Sequence, residues 1–156
     1  MLLMIEITNT TKFKINKKQL TSLSEAFLQT FKKSHVDVSL AIVGDTQIKK
    51  LNDKYRGHNS TTDVLSFAGA EWEGNLLGEV IINPREIKRL HKYREILELA
   101  GFKYPPAKLK AAENYLFYFI LIHGLLHLIG YDDEMESDRL QMLNIGRDFL
   151  SKHGIM

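Results

Sequence analysis

Two histidines and an aspartate near the end of an apolar segment have the spacing of metal ligands. His123 and His127 are four residues apart. On a helix, four residues rise about 6 Å and return to the same face, so both imidazoles can reach one ion. Gly130 can end that helix in a left-handed conformation and let Asp133 fold back. Two imidazoles and one carboxylate leave the fourth position of a zinc ion open for water, which is typical of a catalytic site.

Several competing interpretations apply to this segment. A single histidine in an apolar helix is usually a hydrogen-bonded core residue, but two buried imidazoles without partners would be costly. Asp132 competes with Asp133 as the third ligand, and its alternative role is that of a turn or capping residue. Gly124 occupies the position that holds the catalytic glutamate in zinc proteases of the H-E-x-x-H type. It permits either close backbone approach beside the metal or tight helix packing.

A second polar cluster follows residue 51. Arg56 precedes a loop rich in Gly, Asn, Ser and Thr, and its planar guanidinium suits a phosphate group. By itself, such an arginine is more often a surface residue in a salt bridge. His58 is more often a surface histidine, and Asp63 more often fixes a turn.

Composition sets broad limits. The chain has 156 residues, 44% of them hydrophobic and 26% charged, and a net charge of +2. This predicts one globular domain over residues 1–156. The absence of cysteine excludes disulfides and thiolate metal sites, and it favours a cytoplasmic location. The apolar run 115–129 is shorter than the roughly 20 residues that a membrane span needs, so no membrane partner is expected.

The order of predicted elements indicates an α+β sandwich, with one mixed sheet of about four strands and a long central helix that carries the histidines. Asn16 and Asp45 are predicted to cap the first two helices. Asn83-Pro84 should begin a helix that continues to about Gly101. Strands are predicted at residues 2–7, 36–43, 64–67 and 76–82, and later helices at about 109–129 and 134–152.

Three blocks of sequence resemble the YbeY family of bacterial endoribonucleases. HGLLHLIGYDDEME at 123–136 is similar to that family's H-G-x-L-H-L-x-G-Y-D-H signature. LNDKYRGHNSTTDVLSFA at 51–68 resembles its N-x-x-Y-R-x-x-x-x-P-T-D-V-L-S-F block. LLGEVIINP at 76–84 resembles an L-G-D-I-x-I-S strand more weakly.

The resemblance implies a zinc-binding αβ fold that cleaves single-stranded RNA during ribosomal RNA maturation and ribosome quality control, with small-subunit ribosomal proteins as further partners. It places the functional arginine at Arg56 and the first two zinc ligands at His123 and His127. The family's third ligand is usually histidine, where this chain has Asp133. Glu79 replaces the usual aspartate.

These observations lead to a mechanistic hypothesis. Zn²⁺, one ion per chain, acts as a Lewis acid while Arg56 holds the scissile phosphate. The nucleophile is either a metal-activated water or the 2′-hydroxyl of the RNA. Alternatives are a non-catalytic, zinc-stabilised ribosome-assembly factor, a zinc metallopeptidase, and a phosphatase or other hydrolase of small substrates. Two basic groups, at positions 49, 50, 54 and 56 and at positions 85, 88, 89 and 92, could supply a strand-binding surface. Taken singly, each group is more often a solvated helix face.

Overall fold

A mixed four-stranded sheet forms the frame of the protein. The computed structural model describes residues 4–33, 35–70 and 74–156. The strands are β1 (Ile5–Asn9), β2 (Asp37–Ile42), β3 (Val64–Ala68) and β4 (Leu76–Ile82), in the order β1-β2-β4-β3. β1, β2 and β4 are parallel, and β3 runs antiparallel to β4. The predicted α+β class and mixed sheet are confirmed, although part of the first predicted strand lies outside the described residues.

Six α-helices accompany this sheet in the described part of the chain. Their bounds are α1 (Lys17–Thr30), α2 (Asp45–Arg56), α3 (Pro84–Ile87), α4 (Arg94–Leu99), α5 (Leu109–Leu128) and α6 (Glu136–Lys152). The Asn16 side chain accepts a hydrogen bond from the backbone N–H of Gln19, which confirms the predicted cap of α1. The predicted cap of α2 is wrong, because Gly44 is the capping residue and Asp45 lies in the first turn.

The helix predicted from Asn83 to Gly101 is interrupted. α3 ends after one turn, a 3-10 turn follows at Leu90–Tyr93, and α4 begins at Arg94. Tertiary contacts hold this break. The buried Glu86 carboxylate accepts hydrogen bonds from Arg89 and Lys92, which lie beyond the end of α3. The turn also buries Tyr93, which is 6% exposed, against the core.

The core is divided between the two faces of the sheet. A small cluster, which includes Val43, Ile48, Leu65 and Ile81, packs between the sheet and α2. The larger cluster covers the opposite face and contains most of α5. Twelve of the 20 residues of α5 are buried, as expected for a central helix surrounded by other elements. The long central helix is therefore confirmed, and no helix among the described residues meets the length and hydropathy needed to span a bilayer.

Candidate metal centre

The depth at which α5 lies on the sheet is set by Gly124. A Cβ atom at this position would lie 2.6 Å from the Cγ1 of Val80 and 3.1 Å from the Cγ2 of Val64. The Ser66 hydroxyl donates a hydrogen bond of 2.8 Å to the Gly124 carbonyl. The glycine therefore allows close packing of the helix against β3 and β4. Both expected histidines project from the same region of α5, on either side of this contact.

The chain reverses at the end of α5 as predicted. Gly130 has a φ of +103°, in the region that favours glycine. The backbone N–H of Tyr131 donates to the Leu126 carbonyl at 3.0 Å, which closes the helix end. Asp132 is an exposed turn residue whose Oδ1 accepts from the backbone N–H of Glu134 at 2.7 Å. The next residue, Asp133, is the one directed toward the histidines.

Three ligand-type atoms converge at this point. The Nε2 of His123 lies 3.2 Å from the Nε2 of His127 and 3.2 Å from the Oδ2 of Asp133. The His127 Nε2 lies 3.6 Å from the same oxygen. Ligand atoms about 2.0–2.1 Å from a tetrahedral ion are separated from one another by about 3.3 Å. The three side chains thus have the spacing needed to hold a metal ion.

The orientation of each imidazole has a different cause. The Nδ1 of His127 lies 3.0 Å from the Tyr131 carbonyl, which accepts its proton and leaves the Nε2 lone pair directed at the site. The His123 ring stacks on Phe119, with centroids 6.4 Å apart. Its buried Nδ1 has no hydrogen-bond partner among the described residues. On the Nδ1 side, packing rather than a hydrogen bond therefore orients His123.

Electrostatics favour the neutral form of His123. Burial lowers its pKa most strongly, and the neighbouring His127 lowers the pKa further. Asp133 and, more weakly, Asp63 oppose this shift because their negative charges stabilise an imidazolium. A histidine must be deprotonated at the ligating nitrogen to bind a metal. The environment thus favours the protonation state that ligation requires.

The three side chains line a cavity of about 510 Å³. Its apolar lining residues include Ile96, Phe119, Ile120 and Leu143. Its polar lining residues include Arg56, Thr62, Asp63, Ser66, Lys92 and Tyr93. Positive and hydrogen-bonding groups therefore share with the triad a space large enough for a small ligand.

The structure brings Arg56 to this cavity. It is the last residue of α2 and is exposed, and Gly57 ends the helix with a φ of +70°. Among the described residues, Arg56 has no carboxylate partner within salt-bridge distance. His58 is exposed and does not line the cavity. The guanidinium is thus available to an anion that enters the cavity.

Asp63 and Tyr93 were not predicted as members of the site. The Tyr93 hydroxyl donates a hydrogen bond of 2.9 Å to the Asp63 Oδ2. Burial, together with the charge of Asp63, raises the pKa of Tyr93, so its hydroxyl stays protonated. Asp63 follows the polar loop and directly precedes β3, and this position in the sequence could have indicated that it is a site residue. Tyr93 carries no comparable sequence signal, because it reaches the cavity only through the break between α3 and α4.

Three of the eight residues of the predicted basic surface form salt bridges with described carboxylates. Arg85 and Arg89 each lie 3.5 Å from Asp45, and Lys92 lies 2.6 Å from Glu86. The Lys54 ammonium lies over the ring of Tyr55, 5.0 Å from its centroid. The cations that face the cavity are Arg56 and Lys92. The two basic segments therefore contribute fewer free charges than their sequences suggest.

Comparison with known proteins identifies the family. The family model described as "Endoribonuclease YbeY" matches residues 6–154. The chain belongs to the YbeY family. The YbeY endoribonuclease of Thermodesulfovibrio yellowstonii is 40% identical over 118 residues, which cover 73% of this chain and 65% of that protein. The YbeY endoribonuclease of Finegoldia magna is 31% identical over 138 residues, covering 86% and 80% respectively.

The fold is also similar to a solved structure. A solution structure of a protein from Thermotoga maritima matches with a TM-score of 0.54 and 25% identity. The match covers 96% of this chain and 91% of that protein. The YbeY family match extends from β1 beyond the end of α6, and so includes the triad, Arg56 and the strands that position them. By contrast, the match to the T. yellowstonii protein leaves about a third of that relative uncovered.

Proposed function

We propose that residues 1–156 act as one zinc-dependent hydrolase domain, an endoribonuclease that cleaves single-stranded RNA during ribosomal RNA maturation and quality control in the cytoplasm. The YbeY family match supports the reaction class. Small-subunit ribosomal proteins are the proposed additional partners. In this proposal His123, His127 and Asp133 hold the zinc ion, and Arg56 binds the phosphate of the substrate.

The spacing of the triad is the observation that carries the proposal. Separations of 3.2, 3.2 and 3.6 Å between the three ligand atoms suit one tetrahedral ion with a fourth position left for water or substrate. The chemistry of the donors, two imidazoles and one carboxylate, suits zinc. Because the same cavity includes an unpaired arginine, a phosphate could lie between the triad and the guanidinium.

The chain's own groups have distinct roles in this reaction. When bound, zinc would supply Lewis-acid chemistry, polarising a phosphate oxygen and lowering the pKa of a water molecule. Arg56 orients the phosphate with two parallel N–H donors and offsets negative charge that grows in the transition state. Apolar residues of the cavity lining, among them Phe119 and Ile120, limit the access of bulk water and strengthen these interactions.

The nucleophile can be identified from the products. If the 2′-hydroxyl of the RNA attacks, the upstream fragment ends in a 2′,3′-cyclic phosphate. Attack by water produces no cyclic phosphate. Mass spectrometry of a cleaved oligonucleotide separates the two routes, and a substrate with a single 2′-deoxy nucleotide at the cleaved position provides the matched control.

The local packing disfavours the metallopeptidase alternative. Zinc peptidases of the H-E-x-x-H type need a glutamate base directly after the first histidine. Here Gly124 fills that position, and even a methyl group there would clash with Val80. A glutamate could not be accommodated without displacing α5 from the sheet. We therefore expect no cleavage of casein under conditions in which single-stranded RNA is cleaved.

The size of the core bears on the assembly-factor alternative, in which zinc would only stabilise the fold. Most of the large core cluster lies away from the triad and does not depend on a bound ion. Chelation should consequently abolish RNA cleavage while thermal unfolding remains cooperative, with a moderate decrease in Tm from the loss of ligand binding. A protein that unfolds at room temperature on chelation would instead support the assembly-factor function.

The decisive experiment combines metal analysis with RNA cleavage. We expect about one zinc ion per chain in the purified protein, and loss of both metal and cleavage in His123→Ala. Arg56→Ala should retain the metal and the Tm while kcat falls by about 10²–10³-fold. Arg94→Ala is a matched control, because this exposed arginine forms an i,i+4 pair with Glu98 and does not line the cavity. Full cleavage by Arg56→Ala would remove Arg56 from the mechanism.

A further inference from the structure

A lysine-rich segment that leads into the first turn of α1 has no role in the site described above. Residues 12–18 read KFKINKK, so four lysines and a phenylalanine occur within seven residues. The four lysines are exposed, and none forms a salt bridge with another described residue. They differ in this respect from Arg85, Arg89 and Lys92, whose charges are paired. The segment therefore presents uncompensated positive charge to the solvent.

A groove of about 720 Å³ lies where this segment meets the first half of α5. Three lysines from separate parts of the chain line it: Lys14, Lys88 and Lys110. Among the described residues that line it, Glu113 is the only acidic one. Three positive charges against one negative charge make the groove complementary to an anionic ligand.

The wall of the groove is aromatic. The rings of Phe13 and Phe117 are stacked with centroids 6.1 Å apart and planes at 26°. The Lys88 ammonium lies 5.4 Å from the centroid of the Phe13 ring. Asn114 also lines the groove and supplies an amide that can both donate and accept hydrogen bonds. Aromatic faces, amides and lysines together are suited to stacking a nucleobase while binding the adjoining phosphates.

The groove and the metal centre share α5 as a common wall. Phe117 and Glu113 precede His123 by six and ten residues, which correspond to about 9 and 15 Å along a helix. The segment that follows β4 also borders both sites, since it contributes Lys88 to the groove and Lys92 to the cavity. A strand with one phosphate in the cavity could therefore reach the groove within a few nucleotides.

We propose that this groove is a second binding site for single-stranded RNA, which holds an unpaired base and its phosphates a few nucleotides from the cleaved bond. The inference rests on the proposed function, because it extends the substrate of the same metal centre. A duplex is disfavoured, since its bases are stacked and cannot enter the groove. An acidic peptide would satisfy the lysines but would leave the stacked aromatic wall without a planar partner.

Binding can be measured separately from cleavage. The assay follows the fluorescence anisotropy of a labelled, 2′-O-methylated single-stranded oligonucleotide of about 8–12 nucleotides as zinc-loaded protein is added. A gel checks that the oligonucleotide remains intact. The groove variant combines Lys14→Gln, Lys88→Gln and Lys110→Gln. The matched control combines Lys33→Gln, Lys103→Gln and Lys152→Gln, three exposed lysines outside the groove with no salt bridge to a described residue.

The groove variant should bind RNA at least about tenfold more weakly than the control variant. The slope of log K against log salt should become shallower by about 2, because each neutralised contact with a single strand accounts for about 0.7. Phe13→Leu keeps an apolar side chain but removes the aromatic face, and should weaken binding by about tenfold with an unchanged salt slope. Each variant is compared at equal helical content and Tm.

A small ester separates this inference from the proposed function. Bis(p-nitrophenyl) phosphate fits the cavity but cannot reach the groove, so the groove variant should hydrolyse it at the rate of the control variant. If neither the parent nor any variant cleaved single-stranded RNA or the ester, the proposed function would be contradicted. The anisotropy measurement would still test whether the groove binds RNA. Equal RNA binding by the groove and control variants would overturn the inference. So would displacement of the RNA by poly-glutamate but not by unlabelled single-stranded RNA.

Discussion

Gly124→Ala tests whether the packing of α5 on the sheet positions the metal centre. The added Cβ would lie 2.6 Å from the Val80 Cγ1, whereas ordinary contact begins at 3.4 Å. The helix backbone at residue 124 and the Val80 side chain must therefore move apart by about 0.8 Å. Val80 is fully buried and β-branched, so its side chain has little freedom to move away. The helix must shift instead, and the Ser66 hydrogen bond to the Gly124 carbonyl must lengthen.

Two opposing contributions determine the stability of this variant. Overpacking of a well-packed core costs about 1–3 kcal/mol. Replacing a helical glycine with alanine favours the helix by about 1 kcal/mol. We therefore expect a net loss of about 1 kcal/mol, which corresponds to a decrease in Tm of about 2–4 °C for a chain of this size. Circular dichroism and urea denaturation would measure both quantities.

The effect on activity should exceed the effect on metal binding. Both histidines lie on α5 and Asp133 follows it closely, so the triad moves largely as a unit. Arg56 belongs to α2 and does not move with it. A displacement of about 1 Å between catalytic groups can reduce the rate by about 10²-fold. We expect near-normal zinc content with RNA cleavage reduced by about that factor.

Two further variants serve as controls for Gly124→Ala. At Gly146 of α6 an added Cβ would lie 3.1 Å from the ring edge of Phe119, so Gly146→Ala should be much milder. Val80→Ala combined with Gly124→Ala removes the clashing methyl groups, and the double variant should lose less stability than the sum of the single variants. If Gly124→Ala were more stable than the parent and cleaved RNA normally, the proposed role of this contact would be refuted.

Three further predictions concern groups around the site. Asp45→Asn should lower stability by about 1 kcal/mol at pH 7. Hydrogen bonding from Asn83 lowers the pKa of Asp45, so the aspartate's contribution is present above about pH 4 and is lost as the pH falls through the lowered pKa; urea titrations at pH 7 and pH 3 should show a smaller difference between the variants at the lower pH. Tyr93→Phe leaves the Asp63 carboxylate without its 2.9 Å donor and should cost about 1.5–3 kcal/mol; an unchanged midpoint in urea would count against that hydrogen bond. Arg56→Lys keeps the charge but not the two-pronged donor geometry, so cleavage should stay well below that of the parent, and recovery of the full rate would show that charge alone suffices.

Local sequence signals were sufficient for most of the secondary structure. The apolar run through residues 109–128 and the glycine that follows it located α5 and its end within a residue or two. Alternation and β-branched residues located β2, and the bounds predicted for β4, 76–82, match the strand. These signals are reliable because they depend on interactions between near neighbours along the chain. They failed between Pro84 and Leu99, where the buried carboxylate of Glu86 and the burial of Tyr93 interrupt a pattern that reads as one helix.

The sequence by itself determined the composition of the candidate metal centre, because two of its residues lie on one helical turn and the third follows a helix-ending glycine. Those relations are local, so spacing alone predicted that His123, His127 and Asp133 could meet. Only the tertiary structure decided what surrounds them. Arg56 arrives from α2, Asp63 from the start of β3 and Tyr93 from the interrupted helix, and their approach depends on how the sheet orders its strands. The groove beside Phe13 likewise exists only because segments about 100 residues apart pack together, which no short-range pattern encodes.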